Sequence, residues 1–428
     1  MLDKLFFRTM PLKTLTLLFG LFACSGLILS GCAWLVRQPL RVDGSALVKL
    51  DPYQYPEFSD DLAYDGLNAS IVQSIEYLDR IPDNRLFWFG DDAFTARHMK
   101  ASLEHFRAFL EDRPAPGDLN DFITTYYDVY ISKGNEDTED VLFTGYYEPE
   151  LSGSLRQTDE YRYPVYSLPD DLVFVELSLF GREFEGQKRL IGRYTDSRQI
   201  VPYYEREDIT WSTLLGRSRP IAWVKDKVGL FFLEIQGSGK ICLDSGGCIN
   251  VHYHASNGHP YRSIGALLIQ QEKISKEQMS MQKIREYLED NPEEVDEILN
   301  HNKSMVFFKV EKGGPFGCLN VELTPGRSIA LQTRIFPAAG LAFIEASKPL
   351  VDGEGHIVEW IRFKRFVMNQ DTGGAIRGPG RADIFWGNGP YAEITAGHMQ
   401  HHGQLFFLVL KEGLAGNEIL DTSPQNTY

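Results

Sequence analysis

Two aspartates on either side of a glycine-rich loop are the residues of this sequence best suited to acid–base chemistry. Asp371 and Asp383 enclose four glycines and a proline, with apolar runs at Phe363–Met368 and Ile384–Trp386. This pattern predicts a strand, a loop and a second strand. Because glycine has no Cβ, a bulky ligand can approach the two carboxylates closely. The loop therefore favours an acid or base that acts on a polymer. The alternative is a hairpin loop with aspartates as turn formers.

The composition limits the function without identifying a substrate. A chain of 428 residues is long enough for two domains. Its 43% hydrophobic and 24% charged residues are ordinary for a globular protein. The aromatic content of 12% fits β-rich packing or a sugar-binding groove. The formal net charge of −16 argues against a nucleic-acid partner, since phosphate backbones require clustered lysine and arginine.

The first 32 residues have the pattern of a secretory signal. Basic residues are followed by an apolar run from residue 15 to residue 29, which ends in Leu29-Ser-Gly-Cys32. This ending resembles a bacterial lipoprotein signal, in which Cys32 would carry lipid as the mature N-terminus. An uncleaved membrane anchor is the alternative, but the run is short for a membrane span. The residue after the cysteine is Ala33 and not aspartate, which resembles the pattern of lipoproteins anchored at the periplasmic face of the outer membrane.

The remaining cysteines and the histidines do not form a metal-binding pattern. Cys242 and Cys248 span a glycine-rich turn, so a disulfide that closes a hairpin is feasible. Zinc is the weaker interpretation, because no partners lie at metal-ligand spacing. Cys318 is interpreted as a buried thiol. We interpret the histidines at 252, 254 and 259 as surface or structural residues. We therefore predict no metal site and no cofactor.

Hydrophobic periodicity divides the chain into helical and β-rich stretches. Stripes at three- and four-residue steps predict helices over residues 67–78, 99–110 and 122–129. Short apolar segments from about residue 150 onward predict the strands of a small barrel or sandwich. One of them, Phe231–Gly239, is predicted to be a strand that ends in a loop, where Gln236 and Ser238 are suited to bind sugars. Further helices are predicted from near Ser275 and from Asn291.

The simplest domain organisation is one domain interrupted by another. Residues 61–149 and 276–412 would form the main body with its N-terminal helices, and residues 150–275 the insert. Residues 33–60 would be a tether after the signal at 1–32, and residues 413–428 a C-terminal tail. A groove between the two domains would be lined by loops from both.

Five short segments that follow one another between about residues 140 and 410 together resemble one protein family. They are Thr144–Tyr147 (TGYY), Phe232–Gly239 (FLEIQGSG), Asn257–Gly265 (NGHPYRSIG), Leu323–Ser328 (LTPGRS) and Asp371–Asp383 (DTGGAIRGPGRAD). The family is that of the membrane-bound lytic murein transglycosylases of type A. No single segment is decisive, but five in the same order are specific.

This resemblance implies a fold and an activity. The fold would be mostly β with some α: a double-psi β-barrel main domain with an inserted smaller β-barrel domain and a groove between them. The activity would be cleavage of the β-1,4 bond between N-acetylmuramic acid and N-acetylglucosamine in peptidoglycan, giving 1,6-anhydro products without water. The partners would be peptidoglycan strands and the outer membrane, and the protein would be a monomer.

By position in the family segments, the catalytic aspartate falls on Asp383. The segments also assign residues to the glycan cleft, namely Asp371, Thr144, Tyr146, Tyr147, Gln236 and Ser238. The two tyrosines have an equally good interpretation as core residues. Asp383 would act first as acid and then as base, so its pKa must exceed the reference value of about 3.9. Burial beside Phe385 and Trp386, together with the carboxylate of Asp371, would raise this pKa. A nearby arginine, Arg377 or Arg381, would lower it, and we predict that burial dominates.

Two other functions remain open at this point. A glycoside hydrolase would use Asp383 as acid and Asp371 as base, and would add water to its product. A catalytically silent lipoprotein would only bind peptidoglycan. Product composition and an Asp383→Asn variant distinguish the three.

Overall fold

Two β-sheets built from different stretches of the chain dominate the structure. The structure is a computed structural model that describes residues 46–111, 114–135, 140–184 and 189–414. The predicted signal at 1–32, its Cys32 and nearly all of the predicted tail lie outside the described residues. In chain order, the strands are β1 (Leu47–Lys49), β2 (Leu86–Phe89), β3 (Asp92–Thr95), β4 (Tyr127–Ser132), β5 (Val141–Tyr146), β6 (Glu150–Ser154), β7 (Tyr163–Tyr166), β8 (Leu172–Val175), β9 (Leu190–Tyr194), β10 (Ile200–Pro202), β11 (Pro220–Val224), β12 (Ser238–Leu243), β13 (Cys248–Ser256), β14 (Val306–Val310), β15 (Ser328–Ala330), β16 (Leu341–Val351), β17 (Ile357–Asp371), β18 (Arg381–Phe385) and β19 (His401–Leu410).

Along the described chain, the helices lie between these strands. They are α1 (Leu67–Asp79), α2 (Ala96–Leu110), α3 (Pro116–Tyr126), α4 (Trp211–Leu214), α5 (Lys227–Gln236), α6 (Ile264–Gln270), α7 (Met281–Asp290), α8 (Val295–His301) and α9 (Pro390–His398). None of the helices in the described part of the chain has the length and apolar character needed to cross a membrane.

The first sheet closes into a six-stranded barrel. Its neighbouring strands are β19, β16, β17, β15, β18 and β5, and β19 pairs with β5 to complete the ring. Two pairs in the ring are parallel, β5 with β18 and β15 with β17. Strands β4 and β1 extend the sheet from β19. The prediction of a mostly β fold with a barrel as its main domain is confirmed.

Alternating apolar residues fill this barrel and its surroundings. Phe343 in β16 lies opposite Phe366 in β17, with ring centroids 5.0 Å apart. Both rings are fully buried, and Phe58 packs edge-on against Phe343. The burial of large aromatic rings supplies much of the free energy that stabilises such a core. Phe58 belongs to the predicted tether at 33–60, so the tether prediction is wrong from residue 46 onward, where β1 also pairs with β4.

The second sheet has the order β14-β13-β12-β6-β11-β7. A bridge between Ser167 and Phe308 brings its two edge strands together, so the sheet curls towards a small barrel. Residues 306–310 fall within the predicted main body, but they form β14, which pairs with β13 in this second sheet. That part of the prediction is wrong because the apolar side chain of Phe308 completes the core around Val251 and Ile241. The other predicted domain boundaries stay predictions.

Two local predictions fail for identifiable reasons. Residues 227–236 form α5 and not a strand, with Asp226 capping its start and Gly237, at a φ of +81°, ending it. Because α5 is apolar on nearly all sides, its sequence has no polar stripe that would indicate a helix. The helix predicted from Ser275 begins instead after Ser280, whose hydroxyl accepts the N–H of Lys283.

Candidate active site

The strand register brings the two aspartates to one level of the barrel wall. Ala330 in β15 pairs with Asp371 in β17 on one side and with Asp383 in β18 on the other. On the next strand, Thr144 in β5 pairs with Asp383. One strand, β15, therefore lies between the two acidic residues, and neighbouring strands lie about 4.8 Å apart. The residue between the two aspartates, Ala330, has a small and buried side chain.

Asp383 has one engaged and one free carboxyl oxygen. The hydroxyl of Thr144 donates a hydrogen bond to Oδ1 of Asp383 over 2.7 Å. Among the described residues, Oδ2 of Asp383 accepts no hydrogen bond. Burial raises the pKa of Asp383 to about 6; Thr144 and Arg381 lower it and the charge of Asp371 raises it. The prediction that burial outweighs the arginine is confirmed, and the acid has a pKa suited to proton transfer near neutrality.

Asp371 is held more tightly than Asp383. Its Oδ1 accepts the backbone N–H groups of Cys318, at 2.9 Å, and Thr372, at 2.8 Å. Its Oδ2 accepts the hydroxyl of Tyr146 at 2.9 Å. Burial raises the pKa of Asp371 to about 6, and the three donors act against this rise because they favour the carboxylate. Both oxygens of Asp371 are therefore occupied, in contrast to Asp383.

The two predicted tyrosines have different environments. Tyr146 is partly exposed, donates its hydroxyl to Asp371 and packs against Phe385 with ring centroids 5.2 Å apart. Tyr147 is only 5% exposed and belongs to the main hydrophobic core. Burial therefore contradicts the stacking of Tyr147 on a sugar, and the core interpretation is the correct one for this residue. Tyr146 positions an acid of the site.

Gln236 and Ser238 lie at the junction of the two sheets. Gln236 ends α5, and its side-chain carbonyl accepts the backbone N–H of Tyr147 at 3.2 Å. Ser238 begins β12 opposite His252 and is partly exposed. This hydrogen bond connects the end of α5, just before β12, to the residue that follows β5, the strand that carries Thr144. These two predicted residues therefore lie at the side of the site formed by the second sheet.

The sequence did not indicate the residues that hold the end of β17 and Asp371 in place. Gln370 is fully buried, and its amide group donates to the carbonyl of Ser70 at 2.8 Å and to the hydroxyl of Ser74 at 2.9 Å. These bonds hold the end of β17 against α1, one residue before Asp371. The backbone N–H of Cys318, which donates to Asp371, also supports the site. Because Cys318 is exposed, the prediction of a buried thiol is wrong.

The disulfide and the histidines are structural features. Cys242 and Cys248 are bonded across the paired strands β12 and β13. His252 is buried beneath Phe316, and the ring of His259 bonds to the carbonyl of Tyr203. Within the described ranges, no group of three or more histidine, cysteine, aspartate or glutamate side chains is arranged to hold a metal ion.

Comparison with known proteins gives a consistent set of matches. Residues 142–309 match the model described as the MltA specific insert domain, and residues 327–409 match the 3D domain. The chain is 32% identical over 339 residues to membrane-bound lytic murein transglycosylase A of Escherichia coli, covering 77% of this chain and 84% of that protein. It is 28% identical over 283 residues to the protein of the same name from Vibrio cholerae, covering 65% of this chain and 68% of the relative.

Solved structures show the same architecture. The membrane-bound lytic murein transglycosylase from Agrobacterium tumefaciens superposes with a TM-score of 0.69 and 29% identity, over 85% of this chain and 98% of that one. E. coli MltA with bound chitohexaose superposes with a TM-score of 0.64 and 25% identity, over 87% of this chain and 97% of that one.

Proposed function

Because the chain belongs to the membrane-bound lytic murein transglycosylase A family, we propose that it cleaves peptidoglycan with Asp383 as its single acid and base. The bond is the β-1,4 link between N-acetylmuramic acid and N-acetylglucosamine, and the product carries a 1,6-anhydromuramic acid end. The observation that carries the proposal is the asymmetry of the two aspartates. Asp383 has a free oxygen, whereas Asp371 has none.

The first step requires a proton on Asp383. With a pKa of about 6, roughly a tenth of the carboxyl groups are protonated at pH 7. Because Thr144 donates to Oδ1, the proton of the neutral acid lies on Oδ2, which makes no hydrogen bond with the described residues. Oδ2 donates this proton to the glycosidic oxygen as the bond from C1 breaks. The N-acetylglucosamine side leaves as an alcohol.

The second step returns the proton. Asp383 is now a carboxylate and accepts the proton of the C6 hydroxyl as that oxygen attacks C1 of the same muramic acid. The ring closes, no water is consumed, and the acid is ready for another cycle. Asp371 remains a fixed carboxylate near the cationic transition state, held by Tyr146 and two backbone N–H groups. Its charge also helps to keep the pKa of Asp383 high.

A pair of isosteric variants tests this division of roles. Purified full-length wild type, Asp383→Asn and Asp371→Asn proteins would be incubated with sacculi, and the released muropeptides measured. We expect Asp383→Asn to lower the rate by about 100-fold or more, since general acid–base catalysis contributes at least that much. Asp371→Asn should slow the reaction and still yield only anhydro products. Full activity of Asp383→Asn would overturn the proposal.

We further propose that Cys32 carries a lipid that anchors the protein at the periplasmic face of the outer membrane. The support is the basic and apolar segment that ends in Leu29-Ser-Gly-Cys32. In cells fed a labelled fatty acid, the wild-type chain should incorporate label and float with outer-membrane vesicles. Cys32→Ala should lose the label, whereas Cys24→Ala, a change inside the signal, should keep it. Label retained by Cys32→Ala would contradict the anchor.

A further inference from the structure

Arg381 lies beside Asp383 on the same face of β18. The two residues are separated by one position, and alternate residues of a strand point to the same side. Three levels follow one another along the paired strands β18 and β5: Arg381 opposite Leu142, Asp383 opposite Thr144, and Phe385 opposite Tyr146. Arg381 therefore lies on the side of Asp383 that is opposite to Tyr146 and Gln236.

The guanidinium of Arg381 is not tied to any of the described residues by a hydrogen bond or ion pair. Across the described ranges, Arg381 makes no ion pair and its side chain makes no hydrogen bond, and the residue is partly exposed. The neighbouring acid Asp140 is engaged by His402 at 2.7 Å. Elsewhere in the barrel, Arg327 and Arg365 are buried and paired with Asp60 and Asp61. An arginine that lies beside a reacting acid and is not paired by any described residue is available to a ligand.

The backbone that carries Arg381 is fixed. Ile376 is buried, and the N–H of Gly378 donates to Gln332 at 2.6 Å. The hydroxyl of Ser132 donates to the carbonyl of Pro379 at 2.8 Å, and the carbonyl of Gly380 accepts the N–H of Leu142 at 2.9 Å. Since the backbone is held in place, only the rotamers of the Arg381 side chain have to be ordered when its guanidinium binds a partner.

This cation has a chemical cost for the reaction. Burial raises the pKa of Asp383, while Arg381 acts in the opposite direction and reduces the protonated fraction of the acid. With a neutral residue at position 381, the pKa of Asp383 would be higher and more of the acid would carry its proton. An offsetting benefit is expected from a favourable contact with the substrate.

We propose that Arg381 binds a carboxylate on the muramic acid branch of the substrate and so selects peptidoglycan over neutral glycans. This inference rests on the proposed function. N-acetylmuramic acid differs from N-acetylglucosamine by a lactyl group, whose carboxyl is either free or joined to a peptide with further carboxylates. Guanidinium binds carboxylate through two parallel, charge-assisted hydrogen bonds, and neutral sugars offer no charged acceptor for such bonds.

Three ligands separate the sources of the carboxylate. Peptide-bearing glycan strands offer stem carboxylates, peptide-free strands offer lactyl carboxylates, and chitohexaose offers none. Wild type and Arg381→Gln would be compared at pH 5, where Asp383 is mostly protonated. We expect kcat/KM of Arg381→Gln to fall about 10-fold on at least one charged substrate, mainly through KM, because the variant loses charge-assisted hydrogen bonds to the bound carboxylate.

The controls make the outcome specific. The affinity for chitohexaose should stay within about twofold of wild type in Arg381→Gln, since a neutral ligand lacks the contact. Arg381→Lys should restore part of the selectivity. Arg377→Gln, an exposed change in the same loop, should leave all three ligands unaffected.

Loss on peptide-bearing strands alone assigns the contact to the stem, and loss on peptide-free strands alone assigns it to the lactyl group. Unchanged kcat/KM on both, or an equal loss of affinity for chitohexaose, would overturn the inference. Anhydro products from wild type in that case would leave the proposed function intact, whereas their absence would count against the proposed function itself.

Discussion

Thr144 and Asp383 are joined twice, as paired residues on the parallel strands β5 and β18 and by a 2.7 Å hydrogen bond between their side chains. The backbone pairing fixes where the hydroxyl lies, and the hydroxyl fixes which oxygen of the acid remains free. The closed barrel thus determines the direction in which Asp383 delivers its proton.

Removing this hydroxyl should change the pH dependence of the reaction. The Thr144 hydrogen bond lowers the pKa of Asp383, so Thr144→Val should raise that pKa above about 6. The reaction needs the protonated acid, so the fall of kcat/KM with rising pH should move to higher pH. Thr144→Ser keeps a hydroxyl and should retain the wild-type profile. Superimposable pH profiles of Thr144→Val and wild type would show that the hydroxyl does not act on the acid.

Tyr146→Phe should test the positioning of Asp371. The change removes the donor to Oδ2 and keeps the ring that packs on Phe385. We expect kcat to fall about 10-fold, because a hydrogen bond to a charged group contributes about 1.5 kcal/mol or more. Tyr53→Phe, at a residue that is 84% exposed, is the matched control. A kcat equal to wild type would mean that Asp371 needs no support from Tyr146.

The buried acid should leave a signature in stability. Asp383 has a folded-state pKa raised from 3.8 to about 6, so its stabilising contribution is present below pH 3.8 and lost as pH rises through about 6. Asp383→Asn is neutral at every pH. Its free energy of unfolding, relative to wild type, should therefore increase between pH 4 and pH 7, by on the order of 2 kcal/mol.

Urea denaturation at several pH values measures this difference. Asp352→Asn provides a control of opposite sign, because the N–H of His356 lowers the pKa of Asp352 in the folded protein. For that variant, stability relative to wild type should decrease as pH rises. A pH-independent difference for Asp383→Asn would contradict the raised pKa.

Gly145 should be required for packing rather than for chemistry. A Cβ at this position would lie 2.6 Å from the ring of Trp386 and 2.9 Å from the backbone of Ala396 in α9. Gly145→Ala should lower the free energy of unfolding by about 1–3 kcal/mol, as overpacking does elsewhere. Gly374→Ala, where a Cβ would meet no atom within 4 Å, should change stability little. Thermal melting of both variants gives the comparison.

The sequence predicted the barrel strands and the two acids because their signals are local. Apolar residues in β17 lead up to the glycine-rich loop, and apolar residues in β18 follow it. The positions of Asp371 and Asp383 at the two ends of the loop are therefore visible in the local sequence. The resemblance to a known family supplied the closed barrel, which pattern alone does not predict. α5 was mistaken for a strand because burial on nearly all sides removes the helical polar stripe.

The supporting contacts of the site could not be predicted in this way. The N–H of Cys318 reaches Asp371 from a segment 53 positions earlier, and it is a backbone group that any residue carries. The hydrogen bonds between Gln370 and α1 join residues about 300 positions apart. Likewise, Tyr147 was as good a candidate for sugar stacking as Tyr146, and only the packed structure distinguishes them.

The measurement closest to the central claim is the isotope content of the products. Sacculi would be digested with the full-length protein in water enriched in oxygen-18, and the new muramic acid ends analysed by mass spectrometry. Because the C6 hydroxyl of the sugar is the nucleophile, these ends should be anhydro forms, one water lighter than hydrolysis products and free of the isotope. Reducing ends that carry oxygen-18 would instead show that water attacks, and a single acid working twice would no longer describe the reaction.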